Sequence, residues 1–174
     1  MKFSVLPYVK ARLSVPWLGS KFNPASPNGM KIARRAAQDI GVCEDPPGSN
    51  RGVRIDEYNN LAGVPVGSFW CASACGAWYR ESNVPAPTGF ASCDNWLRWL
   101  DSNDLRSQKP VIGGIVLYGV GSDAQHIGVV VRLHPYVMTI EGNTTLDGFS
   151  RNGEFVALKG IGKRIIAYGS PPET

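Results

Sequence analysis

The spacing of the hydrophobic positions changes near residue 110. Before it they recur at helical intervals, and after it they form short apolar or alternating runs that are typical of strands. The predicted helices cover 27–40, 53–61, a segment that begins at Cys71 and a segment that Ser92 caps. The predicted strands cover 111–118, 126–131, 136–141, 154–158 and 163–168. Helices followed by strands predict an α+β domain, with N-terminal helices packed on a C-terminal antiparallel sheet.

Serine, proline and glycine set the boundaries of this domain. Residues 1–26 are rich in proline and are interpreted as an irregular N-terminal lead-in. Ser26 then supplies an N-cap and Pro27 the first helical position, and the helix stops at Gly41. The chain contains no internal repeat and no low-complexity tract. Residues 27–170 are therefore predicted to form a single domain.

The strands 126–131 and 136–141 are predicted to form a hairpin with residue 131 opposite residue 136. One face of this hairpin is apolar throughout and consists of Ile127, Val129, Val131, Tyr136, Met138 and Ile140. The other face then carries His126 directly across from Glu141, with Asn143 two residues further on the same side. Directly opposed side chains have Cβ atoms roughly 5 Å apart, so we expect the imidazole to bond to the carboxylate or the amide.

A cysteine lies at the expected start of the third helix. The partial positive charge of a helix start favours a thiolate at Cys71, and its free N–H groups can hold an oxyanion. A free thiol has a pKa of about 8.5 and needs a neighbouring base to take its proton. We therefore interpret Cys71 as a nucleophile, His126 as its base, and Glu141 with Asn143 as ring-orienting groups. The alternative is a buried structural cysteine, a role that suits Cys75 one turn later.

Size and charge are compatible with one globular domain that meets an anionic partner. The chain has 174 residues, of which 43% are hydrophobic, so it can bury a core. It carries 18 Lys and Arg residues against 14 Asp and Glu residues, a net charge of +4. A modest positive field favours an anionic polymer such as a cell wall, although an ordinary solvated surface explains it equally well. No dense basic stripe with interleaved aromatic residues is present, so nucleic-acid binding is not expected.

No metal, other cofactor or membrane insertion is expected. The four cysteines lie at positions 43, 71, 75 and 93, without the paired spacing of a zinc ribbon. A metal held jointly by Cys71, Cys75 and His126 is the alternative. Charged residues interrupt the apolar start of the chain, and no stretch is long enough to span a bilayer. We expect the protein to accumulate in the cytoplasm of the cell that makes it.

Three blocks, FWCASA at 69–74, HIGVV at 126–130 and IEGNT at 140–144, occur in the order cysteine, histidine and acid. Together they resemble the CHAP family of cysteine, histidine-dependent amidohydrolases and peptidases. The stretch 44–58 is similar to one that often precedes the cysteine in phage and bacterial members, and the resemblance covers about residues 28–168. It implies a papain-like α+β fold. It also implies Cys71 as nucleophile, His126 as general base, Glu141 as the ring-orienting acid and Asn143 as an auxiliary polar group.

The resemblance implies a peptidoglycan hydrolase that cuts an amide bond, either as an endopeptidase or as an N-acetylmuramoyl-L-alanine amidase. We expect a monomer that acts on the wall after release from the cell, as phage endolysins do in host lysis. Asn50, Tyr58 and Trp70 are expected to contact the substrate, with simple packing as the alternative for Tyr58. Other candidate functions are a non-catalytic wall-binding or virion structural module, and an acyltransferase or toxin effector with the same Cys and His pair.

Overall fold

A computed structural model of the chain describes residues 17–145 and 153–173. These residues form four α-helices and one six-stranded antiparallel sheet. The helices are α1 (Pro27–Gln38), α2 (Val53–Ala62), α3 (Cys71–Glu81) and α4 (Cys93–Ser102). The strands are β1 (Arg106–Ser107), β2 (Ile115–Val120), β3 (Asp123–Arg132), β4 (Met138–Thr144), β5 (Phe155–Gly160) and β6 (Ile165–Gly169). The predicted α+β class, with helices before the sheet, is confirmed.

Two serines cap helices where the sequence predicts that they do. Ser26 Oγ accepts a hydrogen bond from Gly29 N at 3.1 Å, at the start of α1. Ser92 Oγ accepts one from Asn95 N at 3.3 Å, at the start of α4. These bonds satisfy backbone N–H groups that have no partner inside the helix.

The described part of the lead-in, residues 17–26, forms turns without a helix or strand of its own. Trp17 Nε1 donates a hydrogen bond to the Val131 carbonyl at 2.8 Å. Asn23 Oδ1 accepts one from Leu133 N at 2.7 Å. These bonds attach the segment to the end of β3. Residues 1–16 of the predicted lead-in lie outside the described residues.

The carboxylate of Asp39, directly after α1, joins three helices. It accepts hydrogen bonds from Tyr58 of α2 at 2.6 Å and from Trp78 Nε1 of α3 at 2.9 Å. It also forms ion pairs with Arg35 at 3.0 Å and with Arg54 at 3.1 Å. Burial would raise the pKa of Asp39, but the hydrogen bonds and the Arg35 charge hold this pKa below its ordinary value. The C-terminal half of α3 is thereby fixed against α1 and α2.

The sheet is strongly curled, as its strand order requires. The order is β1-β6-β2-β3-β4-β5, so three strands separate β5 from β6, although only residues 161–164 connect them. Four strand spacings amount to about 19 Å in a flat sheet. Five fully extended residue steps span at most about 18 Å. The connection 161–164 therefore crosses the concave face, where Gly162 N donates to the Tyr118 hydroxyl at 3.4 Å and Ile161 packs against buried side chains of β2 and β3.

Both faces of the curled sheet are buried. The face toward the helices carries the main core, which includes Ile115, Leu117, Ile127, Val129 and Ile140. The concave face carries a second cluster, which consists of Val116, Tyr118 and Val130 with Ile161 and Ile165 packed against it. His126 pairs with Tyr118 in the ladder between β2 and β3. Paired residues share a face of a sheet, so His126 lies on the concave side.

The predicted hairpin of β3 and β4 forms, but its register differs from the prediction by two residues. Val129 lies opposite Ile140, because residues 133–137 make a longer connection than the tight turn that was expected. Tyr136, predicted to face the core, lies in this connection and is 74% exposed. A shift of two residues keeps every side chain on its face. The remaining core positions of β3 are therefore buried as predicted.

Candidate active site

Helix α3 begins at Cys71 without a side-chain cap. Trp70 occupies the N-cap position and makes no capping hydrogen bond, in contrast to the serines that cap α1 and α4. The first N–H groups of α3 are therefore left for other acceptors. The neighbouring Ala72 N–H contributes to lowering the pKa of Cys71, and 6% of Cys71 is exposed. The start of the helix is thus arranged to stabilise negative charge at this residue.

Trp70 is completely buried and fixes the position of the residue beside it, Cys71. Its Nε1 donates a hydrogen bond to Glu44 Oε1 at 3.0 Å. Its ring packs on β4 at Gly142, where a Cβ would lie 2.8 Å from the ring. Glu44 is also buried and accepts a hydrogen bond from Asn50 N at 2.9 Å. The expected substrate contact of Trp70 is wrong, since its ring has no accessible surface.

His126 and Glu141 pair as the sequence predicts, although not as directly opposed residues. His126 Nε2 donates to Glu141 Oε2 at 3.0 Å. In the observed register Glu141 lies beside Gly128, and it reaches the imidazole along the diagonal. A Cβ at residue 128 would lie 2.6 Å from Glu141 Cγ. Glycine at this position therefore provides the space in which the carboxylate turns toward His126.

The second oxygen of Glu141 is held by two residues that the sequence analysis does not identify. Tyr118 donates to Glu141 Oε1 at 2.8 Å, and Thr139 Oγ1 donates to the same atom at 2.7 Å. The Tyr118 ring also stacks on the His126 ring, with the ring centroids 5.9 Å apart. Burial would raise the pKa of Glu141, but the hydrogen bond and charge of His126, with the Lys159 charge, keep this pKa low. Tyr118 thus contacts both His126 and Glu141 and fixes their relative position.

The electrostatics favour a thiolate and an imidazolium. Nε2 of His126 bonds to Glu141, so Nδ1 is the ring nitrogen left for Cys71. Nδ1 is buried and makes no hydrogen bond of conventional geometry within the described residues. Burial lowers the pKa of His126, but hydrogen bonding and charge from Cys71 and Glu141 raise it to about 9. A hydrogen bond from Cys93 lowers the pKa of Cys71 most, and His126 lowers it further against the effect of burial. Both shifts favour a thiolate at Cys71 together with a protonated His126.

Cys93, the first residue of α4, is a site residue that the sequence analysis does not identify. It is buried, and its interaction with the Cys71 sulfur, together with burial, raises the pKa of Cys93 well above the ordinary value. Burial also raises the pKa of Cys75, which packs in the core as predicted. All four cysteines are free thiols. In the sequence, Cys93 cannot be distinguished from another small core residue.

Asn143 does not orient the imidazole. Its Nδ2 donates to Asn50 Oδ1 at 3.0 Å and to the Gly153 carbonyl at 2.9 Å, and it lies 3.4 Å from Glu44 Oε1. Its φ of 53° is left-handed, a conformation that asparagine tolerates better than most residues. Asn143 therefore joins the end of β4 to the loop before α2, and the role predicted for it at the ring is wrong. A substrate contact of the half-buried Asn50 stays a prediction.

Tyr58 does not line a cleft. It is completely buried, its hydroxyl donates to Asp39, and its ring stacks on Trp70 with the centroids 6.0 Å apart. The expected substrate contact is wrong, and the packing alternative is correct. Tyr58 supports the site from behind, because it packs against the residue that precedes Cys71.

Within the described ranges, no three or more His, Cys, Asp or Glu side chains are grouped so that they could hold a metal ion. The helices of the same ranges include none with the length and apolar character needed to cross a bilayer. Comparison with protein-family models, curated proteins and solved structures gives no match to the chain. Any function must therefore be inferred from the geometry of the site.

Proposed function

We propose that this protein is a cysteine-dependent amidohydrolase or peptidase that cleaves an amide bond of peptidoglycan. The observation that supports this most is the junction of Cys71, His126 and Glu141, contributed by α3, β3 and β4. A thiolate beside an imidazolium, with the ring fixed by a carboxylate, is the arrangement that nucleophilic catalysis by cysteine requires. A structural cysteine needs neither the lowered pKa nor the oriented base.

In the proposed reaction, the Cys71 thiolate attacks the amide carbonyl and forms a carbon–sulfur bond. The N–H groups at the uncapped start of α3 stabilise the oxyanion of the tetrahedral intermediate. The imidazolium of His126 gives its proton to the leaving amine, and the carbon–nitrogen bond breaks. His126, now neutral, takes a proton from water, which attacks the thioester and releases the carboxylic acid and the thiolate. Cys71 and His126 are the catalytic residues in this scheme, and Glu141 and Tyr118 position the ring.

The resemblance of residues 28–168 to the CHAP family supports peptidoglycan as the substrate and a papain-like arrangement of the fold. The net charge of +4 is compatible with an anionic wall polymer. Under this proposal the protein acts as a monomer, collects in the cytoplasm of the producing cell and reaches the wall after release, as in phage-type lysis. Whether it is an endopeptidase or an amidase depends on the bond that is cut.

Mass spectrometry of muropeptides from purified sacculi tests the proposal. The wild-type protein should release fragments with one new free carboxylate and one new free amine per cut, and these groups identify the bond. Cys71→Ala should leave the sacculi intact while it keeps the wild-type circular dichroism spectrum. Cys43→Ser is the matched control, because Cys43 is an exposed thiol outside the site. Wall digestion by Cys71→Ala would eliminate the proposed mechanism.

The same experiment separates the alternative functions. Binding to sacculi without any new carboxylate would indicate a wall-binding or virion structural module. A new amide in place of the carboxylate would indicate an acyltransferase, for which the near-complete enclosure of Cys71 would limit access of water. Growth arrest of bacteria that express the protein in the periplasm, without lysis of the producing strain, would favour a toxin effector.

A further inference from the structure

A cavity of about 240 Å³ opens beside His126 and Glu141 on the concave side of the sheet. His126 and Glu141 form part of its wall, and the connection 161–164 forms another part, whereas Cys71 lies outside the lining. Complete sites for small molecules usually occupy about 300–1,000 Å³. The cavity therefore has the size of a subsite for one side chain or one functional group of a larger substrate.

Cations outnumber anions among the charged side chains that line this cavity. Lys159, Lys163 and Arg164 face a single carboxylate among the lining residues, that of Glu141. Glu141 is already bonded to His126, and Lys159 Nζ lies 3.6 Å from its Oε2. Lys163 and Arg164 are exposed, and neither forms an ion pair within the described part of the chain. Lys163 and Arg164 thus bring two positive charges to the cavity that no side chain of the described residues neutralises.

The backbone holds Arg164 in place at this cavity. Its φ of 60° is left-handed, a conformation that arginine rarely adopts. The Arg164 carbonyl accepts a hydrogen bond from Gly119 N at 2.9 Å, and Gly162 N donates to the Tyr118 hydroxyl at 3.4 Å. The connection is thereby attached to β2, the strand that supports the His126 ring. The connection that carries Lys163 and Arg164 and the ring of His126 are thus both held against β2.

We propose that this cavity binds a free carboxylate of the substrate peptide, next to the amide that is cleaved. This inference rests on the proposed function. The cavity opens at His126, so the group that enters it belongs to the molecule undergoing cleavage or to its immediate neighbour. A guanidinium and an ammonium together match a planar carboxylate, with the guanidinium able to bond to both oxygens. Peptidoglycan stem peptides carry such carboxylates, and amidation removes their charge. The substrate class is therefore stem peptide with free rather than amidated carboxylates.

Binding to the inactive Cys71→Ala protein tests this subsite without dependence on turnover. The probes are a fluorescent synthetic tetrapeptide stem with free carboxylates and the same tetrapeptide with every carboxylate amidated, followed by fluorescence anisotropy. The free acid should bind at least about 10-fold more tightly, in the range of one charge-assisted bidentate contact. Lys163→Gln with Arg164→Gln should remove this preference. Lys109→Gln is the control, because Lys109 is an exposed cation outside the cavity lining.

The outcomes distinguish failure of the subsite from failure of the proposed function. Equal affinity for both peptides, binding of neither, or a preference that survives the double substitution would each overturn the subsite. Displacement of the free-acid peptide by glycerol phosphate at equal concentration would overturn the carboxylate assignment in favour of a phosphate-bearing wall polymer. If the preference holds but the wild-type protein cleaves no sacculi, the subsite stands and the hydrolase proposal fails. If the wild-type protein digests amidated and free walls equally well, the hydrolase proposal stands and the subsite fails.

Discussion

Gly128 leaves the space that Glu141 occupies, because a Cβ at residue 128 would lie 2.6 Å from Glu141 Cγ. The hydrogen bond between Glu141 and His126 therefore depends on the absence of a side chain two residues further along β3. A diagonal pair in a sheet needs this kind of space, since diagonal neighbours start farther apart than directly opposed residues. The pairing of His126 with Glu141 thus depends on a glycine whose own side chain is absent.

Gly128→Ala should displace the Glu141 carboxylate and leave the imidazole without its partner. We expect kcat/KM to fall by about 10²-fold, because a displacement of about 1 Å at a catalytic group has effects of this size. Steady-state hydrolysis of a peptide substrate measures the loss. Gly160→Ala is the control, since a Cβ at residue 160 would meet no atom within 4 Å. Unchanged kinetics in Gly128→Ala would show that the carboxylate has no part in orienting the ring.

Glu141→Gln should mainly lower turnover, whereas Asn143→Ala should mainly lower the free energy of unfolding. Glu141→Gln removes a charge that helps to raise the pKa of His126, so turnover should fall by roughly 10³-fold with little change in folding. Asn143→Ala breaks buried hydrogen bonds to Asn50 and Gly153, so it should lower the free energy of unfolding by about 2 kcal/mol. Denaturant titrations and rate measurements on both variants separate these effects. A strong loss of rate in an Asn143→Ala protein of unchanged stability would show that Asn143 takes part in catalysis and contradict its structural assignment.

Cys93→Ala should make Cys71 a weaker acid, because it removes the hydrogen bond that lowers this pKa most. Alkylation of Cys71 by iodoacetamide should then become fast only at a higher pH than in the wild type. Peptide mapping of samples alkylated across a pH series measures this rate. Cys75→Ala is the matched control, since Cys75 is an equally buried thiol that packs in the core. Identical alkylation profiles for wild type and Cys93→Ala would remove Cys93 from the site.

The pH dependence of kcat/KM should show a plateau across neutral pH. Below the plateau Cys71 is protonated and cannot attack, and because its pKa is lowered, this limb lies on the acid side of an ordinary thiol. Above about pH 9, His126 loses the proton that the leaving amine needs, so the rate should fall. Rate measurements from pH 5 to 10 test both limbs. A rate that keeps rising above pH 9 would contradict a protonated His126 as the acid.

The sequence predicts the positions of Cys71, His126 and Glu141 in the fold well and their contacts less well. The serine caps, the position of Cys71 and the apolar face of β3 follow from local signals, and the structure agrees with them. The register of the hairpin depends on the length of the connection 133–137, for which the local pattern gives no unique answer. Tyr118 and Cys93 lie on elements whose approach to the site is set only by tertiary packing. In the sequence they resemble ordinary core residues.

The connection 161–164 joins the two distant strands β5 and β6 by the shortest route that the curled sheet permits. Its length is therefore fixed by the architecture, whereas the identity of its side chains is not. Cys71 and His126, in contrast, belong to the regular elements α3 and β3. If the proposed function holds, substitutions at residues 163 and 164 would change which peptides the protein prefers and leave the proposed catalytic pair in place. Grafts of four residues of equal length would then be the place to begin engineering a new substrate preference.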